Sequence, residues 1–278
     1  VHNYESALKV WPPGCIHATN LIEMWGWGTF ILPFIEQQPL YDDLDVTNRR
    51  LIDVFATADR QLLETPLAEF RCPCDRTEPL LPRGLREFRG NGNTMRMELS
   101  TANYVGCQGL YDRPVVNQTT PYVNNGVFFN NSHVRIDRDI PDGSSKTFML
   151  GERDMRCGSA HWVGTRNPPG PCHWGVYHNR GRVSKKLNAP DSSWPQPSNW
   201  TSIYCDCCSE GFSSPHPGGA NFAFCDGSVH FISENIDFNN GGLSQSQLTS
   251  GAQYDPLLLG TYQRLGIRDD GQPVDLDL

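Results

Sequence analysis

The chain has 278 residues, of which 38% are hydrophobic and 19% charged, with 26 glycines and 21 prolines. That length can bury a sizeable core, and the composition points to loops, turns and short strands rather than a helical bundle. A net charge of −8 with no clustered Lys/Arg run argues against nucleic acid, and no apolar run approaches the roughly 18–20 residues of a membrane span.

The opening segment VHNYESALKVWPPG places Val1, Tyr4 and Leu8 on one helical face and stops at Trp11-Pro-Pro-Gly. So short a helix is marginal by itself, and residues 1–10 are expected to be the tail of a longer N-terminal helix. Residues 25–46 carry Trp27, Phe30, Ile31, Phe34, Ile35, Tyr41 and Leu44 at helical spacing, interrupted by Pro33 and Pro39; two short helical pieces are expected. RRLIDVFATADRQLLETP, with Leu51, Val54, Phe55, Ala58 and Leu62 on one face and Pro66 as the stop, predicts a further helix. The period then shifts toward two. LAEFRCP, TANYVGCQG, NGVFFNNSHVRI and KTFMLGER are predicted strands, and DIPDGSS is a turn between the last two. Residues 157–215 form a long Cys/Trp-rich insertion with little periodicity, and a short helix is expected around Tyr262 to Leu265. No repeat or linker interrupts the chain, so residues 1–278 are expected to form a single domain.

HPGGANFAFCDGSVHFI, residues 216–232, predicts a β-hairpin. With Asp226-Gly227 as a two-residue turn, Phe224 would pair with Val229 and Phe222 with Phe231. All four apolar residues would then share the core face. His216 precedes Pro217-Gly218-Gly219 and has two readings. It could hydrogen-bond backbone at the strand entrance, or it could contact a metal or ligand together with Asp226. A strand of about nine residues spans roughly 30 Å, which weighs against a His216–Asp226 pair.

The ten cysteines are Cys15, Cys72, Cys74, Cys107, Cys157, Cys172, Cys205, Cys207, Cys208 and Cys225. Their even number in a turn-rich acidic chain suggests disulfides and an oxidising compartment, with Cys205, Cys207 and Cys208 pairing with partners such as Cys157 and Cys172. Mixed free thiols and a structural zinc site are the alternatives. Neither Cys72-Pro-Cys74 nor Cys205-Asp-Cys207-Cys208 has standard zinc-knuckle spacing.

Asp137, Asp139 and Asp142, beside a glycine turn, are an oxygen-rich set that calcium would suit, although Arg135 and Arg138 interleave with them. Asp42, Asp43 and Asp45 form a second such group. Calcium is the one cofactor the sequence suggests. His161, His173 and His178 cluster in sequence with Trp162 and Trp174, and aromatic packing is the simpler reading of that set. Trp162, Trp174, Trp194 and Trp200 lie in or beside the insertion, where exposed rings would make a polysaccharide-stacking surface. No nucleophile-elbow, zincin or phosphate-loop motif is present, and no catalytic residue is expected.

HPGGANFAFCDGSVHFI resembles the His-nine-residues-Asp-Gly signature of the prepilin-type-processing-associated family, common on planctomycete surfaces. HNYESALKVWPPG, GWGTFILPFIEQQPLYD, FRCPCD, NYVG, DIPDGSSKTFMLGER and LGTYQRLGIRDDGQPV resemble further segments of that family in order. One departure is clear: the family's Cys-Pro-Ser-Asp is Cys72-Pro73-Cys74-Asp75 here. The motif residues carried over are His216, Gly218, Gly219, Asp226 and Gly227. The resemblance implies an α+β, pilin-like fold, with a truncated N-terminal helix followed by a mainly antiparallel β-sheet head that carries the long cysteine-rich insertion. It also implies a non-enzymatic structural subunit of a bacterial cell-surface filament or secretion pseudopilus. Its partners would be other pilin-like subunits in a homo-oligomer or filament, and it would meet the membrane only through an absent N-terminal helix. The location implied is extracellular, at the cell surface or on the periplasmic face. Two alternatives stand beside it: a carbohydrate-binding surface module using the Trp-rich insertion, and a metal-dependent hydrolase using His216 and Asp226.

Overall fold

The computed structural model describes residues 1–16, 23–80, 88–90, 95–111, 123–155, 160–166, 178–189, 210–272 and 274. Helix α1 (His2–Leu8) ends at Lys9, which takes a left-handed conformation. Val1 and Tyr4 pack on the core as their spacing predicts, but Leu8 is exposed. Strand β1 (Glu23–Trp25) leads into α2 (Trp27–Phe30), a 3-10 turn (Leu32–Phe34) and α3 (Gln38–Leu44). Pro33 and Pro39 each stand in the first turn of their element, where the missing N–H costs nothing.

The single helix expected over 49–66 is instead two elements, α4 (Leu51–Phe55) and a 3-10 segment (Ala58–Glu64). They are separated by extended Thr57, whose hydroxyl donates to the Val54 carbonyl at 3.0 Å. Arg49 reaches across to donate to Asp59 at 2.7 Å and Thr57 at 2.9 Å. Side-chain bonding of this kind competes with helix continuation. Ala58 is consequently exposed, and Leu63 rather than Leu62 is buried.

The short strands β2 (Phe88–Gly90) and β3 (Met95–Met97) form one ladder, and β4 (Thr101–Ala102) precedes β5 (Tyr104–Gly109). Then come β6 (Phe148–Glu152), β7 (Ala160–His161), β8 (Gly164–Arg166) and β9 (Arg180–Arg182). The hairpin strands are β10 (Gly219–Phe224) and β11 (Val229–Ser233), followed by α5 (Gln245–Ser250) and α6 (Thr261–Gly266). The principal sheet has the order β11-β10-β6-β5-β9, antiparallel except where β5 and β9 run parallel. The mixed helix and mainly antiparallel strand content is that of an α+β fold. Alternate residues of β5 face opposite layers, as pleating requires. The Cys107 thiol meets the Gly266 carbonyl of α6 at 3.5 Å, while a Cβ on Gly106 would come within 2.7 Å of the Phe128 ring.

Two predicted strands are absent. LAEFRCP is a 3-10 turn (Ala68–Phe70) followed by extended Arg71, and the Cys72 N–H donates to the Asn103 side chain rather than to a strand. In NGVFFNNSHVRI, the amides of Val127 and Phe128 both donate to the Cys107 carbonyl. The segment folds over β5 as successive turns with Val127 and Phe128 fully buried.

The hairpin exists, but its register is one residue away from expectation. Ala223 pairs with Val229, Phe222 with His230 and Asn221 with Phe231. The loop is Cys225-Asp226-Gly227: the Gly227 amide donates to the Phe224 carbonyl at 3.0 Å, and the Phe224 amide to the Ser228 carbonyl at 2.9 Å. Gly227, at φ 91, supplies the positive φ at the last loop position, which is the three-residue, bulged alternative to a two-residue turn. A one-residue change reverses the faces of the second strand. Phe222 and Phe224 are therefore core residues, as expected, whereas Val229 (63% exposed) and Phe231 (47%) face outward and Ile232 is buried in their place.

Candidate metal centre

The sequence FRCPCD forms a tight turn, with the Asp75 amide donating to the Cys72 carbonyl at 3.0 Å. Asn103, between β4 and β5, anchors that turn. Its side-chain oxygen accepts the Cys72 N–H at 3.0 Å, and its amide group donates to Asp75 at 2.6 Å and to the Arg153 carbonyl at 3.1 Å. Burial alone would raise the Asp75 carboxyl, but hydrogen bonds from Thr77, Asn103 and Met155 hold it below the usual carboxylate range. The Cys72 thiol is pushed up, first by burial and further by Glu152 and Cys74.

His216 comes to this turn from 144 positions away. It lies between Pro215 and Pro217, and its amide donates to the Ser214 hydroxyl at 3.2 Å. The Ser214 amide donates to Asn188 at 2.9 Å, and the Asp154 amide to the Ser213 hydroxyl at 3.1 Å. The imidazole Nε2 lies 3.7 Å from Cys72 Sγ and 3.4 Å from Glu152 Oε1. One ligand atom each from Cys72, Cys74 and His216 all lie within 4.8 Å of one another. Among the described residues this is the one group of three or more such side chains that could hold a metal ion. Glu152, at the end of β6, is oriented by Asn221 of β10, whose amide and side chain donate to it at 2.8 and 3.2 Å. Segments far apart in sequence therefore meet at the end of the sheet.

The structure separates His216 from Asp226. Asp226 accepts from the Ser228 amide and hydroxyl at 2.9 and 2.7 Å, at the hairpin tip, and the six residues of β10 between them span roughly 20 Å. A His216–Asp226 metal or catalytic pair is ruled out by this geometry, and Asp226 is a turn residue. Nor does His216 bind backbone at the strand entrance through its ring; it faces thiols and a carboxylate.

The aspartates do not converge on an ion. Asp137 pairs with Arg135 at 3.1 Å and Asp139 with Arg138 at 2.6 Å, while Asp142 accepts the amides of Asp270 and Gly271 at 2.6 and 3.0 Å. Each carboxylate has a separate partner, and among the described residues these three are not a group that could hold a metal ion. Burial, reinforced by neighbouring Asp142 and Asp269, raises the Asp270 carboxyl to about 6.

Trp162 is buried, donating to the Thr65 carbonyl at 3.2 Å, so it cannot stack on a sugar. Trp174, Trp194 and Trp200 lie outside the described residues. His161 and His178 stack at 4.6 Å in the interior, the aromatic packing expected of them; His173 lies outside the described residues. Cys15, Cys72, Cys74, Cys107 and Cys225 are free thiols, so these five candidates form no disulfide here, as the mixed free-thiol alternative would have it. Cys157, Cys172, Cys205, Cys207 and Cys208 lie outside the described residues. Burial raises the Cys107 thiol to about 12, and Cys15, Cys107 and Cys225 are all shut away from solvent.

Cys72, Cys74 and His216 each stand out in the sequence, but their meeting does not. The usable signal was the departure from Cys-Pro-Ser-Asp, which puts a second thiol two residues from the first.

The fold and site thus define an α+β protein whose sheet end supports a compact Cys-Cys-His group. The chain belongs to the family described as protein of unknown function, DUF1559, whose model matches residues 1–239. No curated protein matches the chain, and no solved structure does.

Proposed function

We propose that the protein is a non-enzymatic structural subunit of a bacterial cell-surface filament or secretion pseudopilus, acting through contacts with further copies of itself. The observation that carries this reading is the docking of α1. His2 meets Trp11 edge-on at 4.9 Å, Tyr4 meets Phe34 at 5.4 Å, and His2 also lies against Gly227 at the hairpin tip. The helix is thereby seated on a sheet-based head, the layout that the resemblance to pilin-like proteins implies. The sheet edge supports the same reading: β11 is an edge strand with Val229 and Phe231 outward, and exposed apolar edges mark surfaces that association covers. Within this reading the protein lies at the cell surface or periplasmic face.

The test is to express the full-length gene product in its native host, shear the cells and sediment the released material. Assembly predicts cell-surface structures that label with antibody to this head and pellet as high-mass species. A processed protein that remains a dispersed monomer would defeat the proposal.

A further inference from the structure

We propose that Cys72, Cys74 and His216 bind one zinc ion, with the Glu152 carboxylate at the fourth position. Tetrahedral zinc with sulfur at ~2.3 Å and nitrogen or oxygen at ~2.0–2.1 Å has S···N edges of about 3.6 Å and N···O edges of about 3.3–3.4 Å. Cys72 Sγ to His216 Nε2 is 3.7 Å, and His216 Nε2 to Glu152 Oε1 is 3.4 Å. The second distance exceeds the ~2.7–2.9 Å of a charge-assisted hydrogen bond and equals a coordination edge. Two thiolates with an imidazole are a soft-to-borderline donor set that suits zinc and disfavours calcium or magnesium.

The supporting shell is in place before the metal arrives. Asn221 orients Glu152, Asn103 holds the Cys72 turn, and the prolines on both sides of His216 restrict its backbone. Such outer contacts position ligands and tighten binding. Cys72 is buried and Cys74 exposed, so the ion has an entry side. On binding, both thiols lose their protons to solvent, the imidazole binds through its lone pair, and the ion keeps its +2 oxidation state. The ion would join the Cys72 turn, the end of β6 and the loop before the hairpin. It would thus cross-link the head where the thiols form no disulfide. This inference does not depend on the assembly proposal.

The experiment uses the 278-residue chain, purified under reductant and stripped with chelator. Zinc is titrated against a chromophoric competitor, and Co2+ is used as a spectroscopic substitute. The unaltered chain is expected to bind one zinc at this site, to show thiolate-to-cobalt charge transfer, and to protect Cys74 from alkylation by at least about 10-fold. C74S and H216Q are each expected to weaken zinc at this site by at least about 100-fold, beyond the 10–100-fold typical of outer-shell losses. C74S should remove about half of the cobalt charge-transfer intensity arising from the site. Because Cys74 is exposed, C74S should keep the native circular dichroism; if H216Q does not fold, C74S and the alkylation footprint decide. No zinc binding, equal alkylation of Cys74 with and without zinc, or unchanged affinity and cobalt spectrum in C74S would overturn the proposal. So would a Cys72–Cys74 disulfide that persists under reductant.

Discussion

The hairpin register makes the sharpest stability prediction. Phe222 is fully buried; its ring stacks on Phe148 at 4.1 Å and meets Phe212 at 5.0 Å and Tyr262 at 6.2 Å. Phe222→Ala removes a whole buried ring and leaves a cavity bounded by three aromatic neighbours, so it should cost ~3–5 kcal/mol. Phe231 is 47% exposed. Full burial of such a side chain is worth about 1.5–3 kcal/mol, so Phe231→Ala should cost only ~1 kcal/mol. Both variants are compared by urea unfolding, followed by tryptophan fluorescence and circular dichroism, with the slopes checked for equality. The expected difference is at least ~2 kcal/mol. If the two-residue turn were the true loop, Phe231 would lie inward opposite Phe222. Equal large losses at both positions would refute the three-residue loop, and so would a larger loss at Phe231.

Gly227→Val should destabilise by ~1–3 kcal/mol, because the position sits at φ 91 and a β-branched residue resists positive φ; Gly227→Asn should recover part of the loss in the same melts. Asn103→Ala should release the Cys72 turn and accelerate alkylation of Cys72 in the native protein, read by peptide mass spectrometry, while buried Cys107 stays unreactive; an unchanged rate at Cys72 would show that the turn holds without its anchor. Asp270 predicts a pH dependence: its folded pKa is raised from 3.8 to about 6, so the native state binds that proton more tightly than the unfolded chain. The favourable contribution is therefore full below about pH 4 and is lost as pH rises through 6. The shift is worth at most ~3 kcal/mol, or ~1–2 kcal/mol after solvent screening near the surface. Wild type should lose that amount relative to Asp270→Asn between pH 4 and 7 in urea unfolding, and a constant difference would contradict it.

Local chemistry alone determined much of this protein. Helical spacing interrupted by two prolines placed two short helical pieces over residues 25–46, where the structure has α2, a 3-10 turn and α3. Alternation placed β5, β6 and both hairpin strands, and the Asp-Gly pair placed the hairpin tip. These features depend on contacts a few residues apart, where the same residues meet in almost any fold. What tertiary structure decided were choices between local states of similar energy. A two- or three-residue loop is compatible with FCDGS, and the β11 register follows from which face of that strand the core accepts: Ile232 went in, Val229 and Phe231 out. The periodicity of LAEFRCP suits a strand, but Asn103 takes the Cys72 N–H and leaves no ladder to join. The Cys72, Cys74 and His216 group shows the same limit most plainly. Cys72 and Cys74 are a pair two residues apart with no distinctive spacing, and His216 reads as part of a loop before a strand. Only the ordering of β5, β6 and β10 side by side brings Asn103, Glu152 and Asn221 to one end of the sheet. Asn103 then holds the Cys72 turn and Asn221 holds Glu152 beside His216, and two thiols and an imidazole lie within 4.8 Å of one another.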